Sequence, residues 1–137
     1  MTLPGTIRIA AAVVNRADGM TLLVRKRGTA AFMQPGGKIE KDEEPVLALC
    51  RELSEEIGLL IDPAQTEYLG CYSAAAANEL GCTVVADIFR VALKLPVAPA
   101  AEIEEIIWVD PKNPGALAMA PLTRELILPL LMSSAAQ

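Results

Sequence analysis

GKIEKDEEPVLALCRELSEEIGL, residues Gly37 to Leu59, runs from a glycine-led loop into a helix and out again. Pro45 through Ile57 is its helical part. Proline is favoured in a first helical turn, and Asp42, Glu43 and Glu44 just before it suit the positive end of the helix dipole. Gly58 is a natural terminator, because it accepts the left-handed backbone that closes a helix. At 100° per residue, Val46, Cys50, Leu53 and Ile57 gather on one apolar stripe expected to face a core. Glu52, Glu55 and Glu56 are expected on the roughly opposite stripe, with Arg51 and Ser54 on a flank.

Carboxylates at i, i+3 and i+4 stand close together on a helix surface and repel one another. A solvated helix face tolerates this, since glutamate is a good helix former. A hard divalent cation gives the cluster a purpose. Magnesium takes oxygen ligands in octahedral geometry, keeps several waters and is commonly shared between carboxylates and substrate phosphates.

Upstream, Thr6–Val14 reads as a strand, Asp18-Gly19 as a hairpin signal and Met20–Arg27 as the returning strand. Side chains two apart point the same way, so Arg25 and Arg27 are expected on one face. The loop Gln34-Pro35-Gly36-Gly37 follows, and its paired glycines permit close backbone approaches. Downstream, strands are expected around Glu67–Ser73, Cys82–Leu93 and Ile103–Val109, with Ala74–Ala77 open between strand end and short helix. Pro111 and Pro114 mark a loop. Leu122–Leu131 reads as a last helix with Pro129 near its end. This order predicts an α/β layered domain with a mixed sheet, and a single domain over residues 1–137.

Composition narrows the chemistry. Histidine is absent, which removes Ser-His-Asp, Cys-His and His-ligated metal sites. Acid–base work falls to carboxylates, lysine, tyrosine or water on a metal. Cys50, Cys71 and Cys82 form no CxxC pair, and are expected as buried apolar fillers. The net charge of −5 disfavours duplex DNA or RNA as a partner, although a divalent ion lets an acidic cluster hold an anionic substrate. The apolar runs, such as Ile7–Val14 and Thr83–Ile88, fall far short of the roughly 18–20 residues that span a bilayer. The first residues show no basic segment leading into an apolar one, so the expected compartment is the cytoplasm.

From Gly37 to Leu59 the chain resembles the Nudix signature: Gly, five residues, Glu, seven residues, then Arg-Glu-apolar-any-Glu-Glu-any-Gly-apolar. Gly37, Glu43, Arg51, Glu52, Leu53, Glu55, Glu56, Gly58 and Leu59 all match without gap or substitution. At ordinary residue frequencies such a match arises by chance on the order of 10⁻⁹ to 10⁻¹⁰ per starting point. Pro35-Gly36-Gly37, the upstream strand Leu22–Arg27, and Glu102 six residues ahead of Trp108 are similar to features of the same family.

The resemblance implies an α/β/α sandwich and a magnesium-dependent hydrolase that cleaves a diphosphate linkage in a nucleoside diphosphate derivative, with Mn²⁺ as a substitute ion. It implies Glu52, Glu55, Glu56 and Glu102 as metal ligands. The catalytic set it suggests is Glu52, Glu55, Glu102 and Arg51, with Arg51 orienting a glutamate such as Glu43 through a forked hydrogen-bond pair. Which glutamate accepts the proton stays open among Glu55, Glu52 and Glu102. Arg27, Gly36 and Gly37 are the expected substrate contacts, and Gly37 is expected to let the loop close against the helix. Phe32, Tyr72, Phe89 and Trp108 are the rings available for stacking, though such rings more often serve the core. The implied partner is a small nucleotide-like diphosphate and not a nucleic-acid polymer or a membrane. Damaged nucleoside triphosphates, nucleotide sugars, ADP-ribose and dinucleoside polyphosphates are candidates, with nucleoside triphosphates favoured by the compact chain. The apolar surplus, including Leu126–Met132, is compatible with a homodimer. Two other classes compete: a non-catalytic domain that binds a nucleotide metabolite, and an isomerase acting on an isoprenoid diphosphate.

Overall fold

The computed structural model describes residues 5–135. Strand β1 (Thr6–Asn15) turns through Asp18-Gly19 into β2 (Thr21–Lys26), and the short β3 (Gly36–Lys38) leads to helix α1 (Pro45–Ile57). After a 3₁₀ turn at Pro63–Gln65 come β4 (Thr66–Ala75), β5 (Thr83–Ala92) and β6 (Ile103–Val109). The chain then enters a π-helical segment, Leu122–Ile127, which runs into helix α2 (Leu128–Ala135). The strands form one mixed sheet in the order β4-β5-β1-β2-β6, with β3 paired to β1 off that path. Among the strand pairings of the described residues, β1–β5 alone is parallel.

Alternation along β1 builds the two layers. Ala10, Ala12 and Val14 face α1 and pack with Leu22, Val24, Leu49, Leu53 and Ile57. Ala11 and Val13 point the other way and pack with Ile88, Leu122, Ile127 and Leu131. The run from Ile9 to Val14 is apolar at every position and must be covered on both faces, and here a helix covers each. The result is the expected α/β/α sandwich. Among the described residues no helix is long and apolar enough to cross a membrane.

Helix α1 has the bounds its sequence predicts, and Gly58 closes it at φ 67° with its N–H on the carbonyls of Leu53 and Ser54. Its buried stripe differs from the expected one. Ala48, Leu49, Leu53, Glu56 and Ile57 are buried, whereas Val46 and Cys50 are half-buried. Glu56 therefore lies on the core stripe with Leu49 and Leu53, at i, i+4 and i+7, and not on the face opposite it.

The C-terminal helix also departs from the expectation. Pro129 sits within a continuous helical run, because the π-helical segment passes directly into α2, and not near its end. The preceding turn is widened: the Leu128 N–H reaches the carbonyl of Thr123. The cysteines are not buried fillers. Cys71 is exposed on the edge strand β4, and Cys50 and Cys82 are half-buried.

Candidate active site

The loop before α1 and the helix itself supply most of the site. Gly36 and Gly37 pair with Ala11 and Ala10 of β1, which lays this segment flat on the sheet beneath α1. A Cβ on Gly36 would overlap the backbone of Ala10, and one on Gly37 would lie 2.6 Å from both carboxylate oxygens of Glu52. Only glycine leaves room there for strand, loop and carboxylate together.

Arg51 organises the outer half of the cluster. Its Nε and Nη2 each donate to Glu43 at 3.0 Å, Nη1 donates to Glu52 Oε1 at 2.9 Å, and Nη2 also reaches the Lys38 carbonyl at 3.1 Å. One planar guanidinium thus ties the loop to two carboxylates of different elements. The forked bond from Arg51 holds the Glu43 carboxyl below its ordinary range, and the Glu40 N–H adds to this.

Glu56 occupies the inner half. It is 5% exposed, and its Oε1 accepts the Gly36 N–H at 2.9 Å. Burial pushes its carboxyl up to about 7, against the pull of that N–H. The charges of Glu52 and Glu102 raise it further, and Lys26 lowers it.

The remaining carboxylates differ in depth. The Glu52 side chain is 16% exposed, whereas Glu55 is 55% exposed and sits 3.9 Å from Arg51 Nη1. Glu102 lies in the turn just before β6, where its carbonyl accepts the Arg27 N–H at 2.8 Å. Its neighbours are engaged elsewhere: Glu104 with Arg27 at 3.3 Å and Glu105 with Arg25 at 3.1 Å. Glu102 forms no ion pair among the described residues, and its charge is felt at Glu56.

Arg27 is 69% exposed at the rim, beside Glu104. The cation nearer the centre is Lys26, half-buried and lining a groove with Gly36 and Gly37. The sequence held the signal for it: Leu22, Val24 and Lys26 alternate, and the first two face α1. The rings belong to the core or its margins: Phe32 and Phe89 are buried, Tyr72 packs in the second layer, and Trp108 lies under Arg16 at 4.6 Å.

Among the described residues no three acidic side chains converge tightly enough to enclose an ion by themselves. The arrangement is an open one. Glu52 and Glu56 are anchored, Glu102 adds a third charge across the gap, and all three supply hard oxygen donors. The like charges that raise the Glu56 proton affinity are what a divalent cation relieves, and an open set suits an ion that also takes water and phosphate oxygens.

Comparison with known proteins bears on the fold and the family. A "MutT-like protein" of Streptomyces ambofaciens is 34% identical over 80 residues, which is 58% of this chain and 47% of that one. An "RNA pyrophosphohydrolase" of Marinomonas sp. (strain MWYL1) is 48% identical over 52 residues, covering 38% of this chain. That match spans 31% of the relative's own length. Among solved structures, the MutT protein of Methanosarcina mazei Go1 superposes with a TM-score of 0.81 at 20% identity, covering 99% of this chain and 100% of that one. The E. coli ORF135 protein gives 0.69 at 27% identity, covering 96% and 89%. The profile of the NUDIX domain matches residues 5–131, and the chain therefore belongs to the NUDIX domain family.

Proposed function

We propose that this chain is a magnesium-dependent hydrolase that cleaves a diphosphate linkage in a nucleotide derivative, a nucleoside triphosphate being the favoured class. The observation that carries the reading is Glu56: a carboxylate kept in the core, next to two further carboxylates, with one N–H as its only hydrogen-bond partner among the described residues. A buried carboxylate that faces two like charges, with only Lys26 acting against them, is costly to keep, so a fold that keeps one has a use for it.

Glu52 and Glu56, anchored by Arg51 and by Gly36, would hold the ion together with Glu102, and Glu55 would complete the set from the exposed side. When bound, Mg²⁺ would neutralise charge on the diphosphate and acidify a water. The chain's own groups do the rest. Lys26 draws the phosphates towards the helix, Arg27 meets them at the rim, and the Gly36–Gly37 backbone lets them approach closely. The proton of the attacking water passes to a carboxylate free of an anchoring hydrogen bond, Glu55 or Glu102.

The test is a hydrolysis screen with Mg²⁺ over intact and oxidised nucleoside triphosphates, nucleotide sugars, ADP-ribose and dinucleoside polyphosphates, with product masses read out. Turnover that disappears in Glu52→Gln and Glu56→Gln supports the reading. Turnover indifferent to both changes removes α1 from the chemistry, and binding without turnover across the panel favours a ligand-sensing domain. The likeness to proteins named RNA pyrophosphohydrolase gives a second substrate class, the 5′-triphosphate end of RNA. A 5′-triphosphorylated oligoribonucleotide therefore belongs in the screen.

A further inference from the structure

Among the described residues two positions other than glycine take a positive φ, Asp42 at 63° and Ala101 at 52°. Aspartate enters this left-handed region with the help of its short polar side chain. Alanine has no such help, and its Cβ crowds the following carbonyl. Ala101 is exposed and immediately precedes Glu102. A backbone outlier of this kind persists only where its surroundings fix it, and such outliers gather where a fold positions chemistry.

Three main-chain hydrogen bonds fix this one. The Ile103 N–H donates to the Ala100 carbonyl at 3.0 Å and closes a four-residue turn with Ala101 and Glu102 at its centre. Positive φ at the first central residue and not at the second is the pattern of a type II′ turn, where glycine is the usual occupant. On one side the Ala100 N–H donates to the Glu56 carbonyl at 2.9 Å, satisfying a carbonyl that α1 leaves open at its end. On the other side the Glu102 carbonyl accepts the Arg27 N–H at 2.8 Å. Glu56 thus meets the turn twice: its main chain holds Ala100, and its side chain feels the charge of Glu102.

We propose that Ala101 is a positioning residue, whose left-handed turn, pinned to the Glu56 main chain, holds the Glu102 carboxylate opposite the carboxylates of α1. The inference rests on the reading of Glu102 as one of the ion's ligands. Glycine at 101 permits the same turn with a looser backbone, and alanine narrows the conformations open to it. A β-branched residue is kept out of the left-handed region more strictly, so it turns the central peptide over and carries Glu102 away. Because the Ala101 side chain is exposed, a substitution there acts through the backbone and not through a lost core contact.

Calorimetric titration of Mn²⁺ into the metal-free protein tests this in a double-mutant cycle on Ala101 and Glu102. Glu102→Gln should weaken binding about tenfold, and Ala101→Val by nearly as much. Ala101→Gly, which keeps the turn, should stay within about threefold of the unaltered chain. In the Glu102→Gln background Ala101→Val should cause no further loss, because the carboxylate it would misplace is already gone, whereas a merely structural residue would cost the same in both backgrounds. Ala101→Leu runs the same cycle if the valine variant does not fold. Full affinity in Ala101→Val, an equal loss in both backgrounds, a glycine variant as weak as the valine one, full affinity in Glu102→Gln, or no binding by the unaltered chain would overturn the assignment. Full affinity in Glu102→Gln alone leaves the hydrolase reading standing, since that reading is tested by turnover in the Glu52 and Glu56 variants.

Discussion

Glu43 and Glu56 flank the same loop, yet the outer and inner halves of the site treat their carboxylates in opposite ways. In the outer half every charge is answered within the protein. Arg51 forks onto Glu43 and also holds Glu52, and the Glu43 proton affinity falls. In the inner half Glu56 is drier, accepts one N–H, feels two like charges, and has its proton affinity raised. On the proposed reading the difference separates scaffold from chemistry: Glu43 is satisfied as folded, whereas Glu56, together with the Arg51-held Glu52, would be completed by a cation.

The largest expected effect comes from neutralising the inner half. Glu56→Gln keeps the shape and the Gly36 hydrogen bond but removes the charge, and kcat/KM should fall by roughly 10²- to 10³-fold. A variant with full turnover would erase the distinction between the halves.

Next in size is the pH dependence of stability. The Glu56 carboxyl lies at about 7 in the folded chain against an ordinary 4.5, so between these values the folded state keeps a proton that the unfolded state has lost. Stability from this group is complete below about pH 4.5 and is lost as pH rises through 7, a change on the order of 3 kcal/mol. Glu43 runs the other way: its lowered value gives stability that is present above the ordinary carboxylate range and lost as pH falls below it. Urea unfolding of the metal-free protein at pH 5 and pH 8 should show the loss, and Glu56→Gln should flatten it.

Breaking the outer half should cost less. Arg51→Lys keeps the charge but loses the fork, and kcat/KM should drop about ten- to a hundredfold, as when a partner that orients a metal ligand is lost. The smallest effect should be that of Arg27→Ala, whose side chain is 69% exposed in a surface ion pair. A rise in KM of less than about threefold is expected, against about tenfold for Lys26→Met in the same assay. Reversed ranks would place the phosphates at the rim.

Much of this was legible in the sequence, for a physical reason. Helix α1 is regular, so its bounds, its glycine terminator and the closeness of its glutamates follow from a period of 3.6 and from backbone preferences. The layered α/β domain followed from the order of the elements and the sandwich was implied by the resemblance; in the structure, alternation in β1 carries both layers. Depth was not legible. A stripe drawn from apolar residues alone puts every glutamate outside, and so it missed Glu56 on the line of Leu49 and Leu53. Lys26 was hidden between two arginines, although its parity with Val24 marked it. The left-handed turn at Ala101 lacks the glycine that marks such turns, and no local pattern announces it.

Calorimetric titration of Mn²⁺ at pH 8, with a non-hydrolysable nucleotide analogue present, tests the inner half most directly. The unaltered chain should bind the ion with release of heat that disappears in the double variant Glu52→Gln, Glu56→Gln. Equal binding by both proteins, or none by the unaltered chain, would mean that the buried glutamate serves something other than a cation.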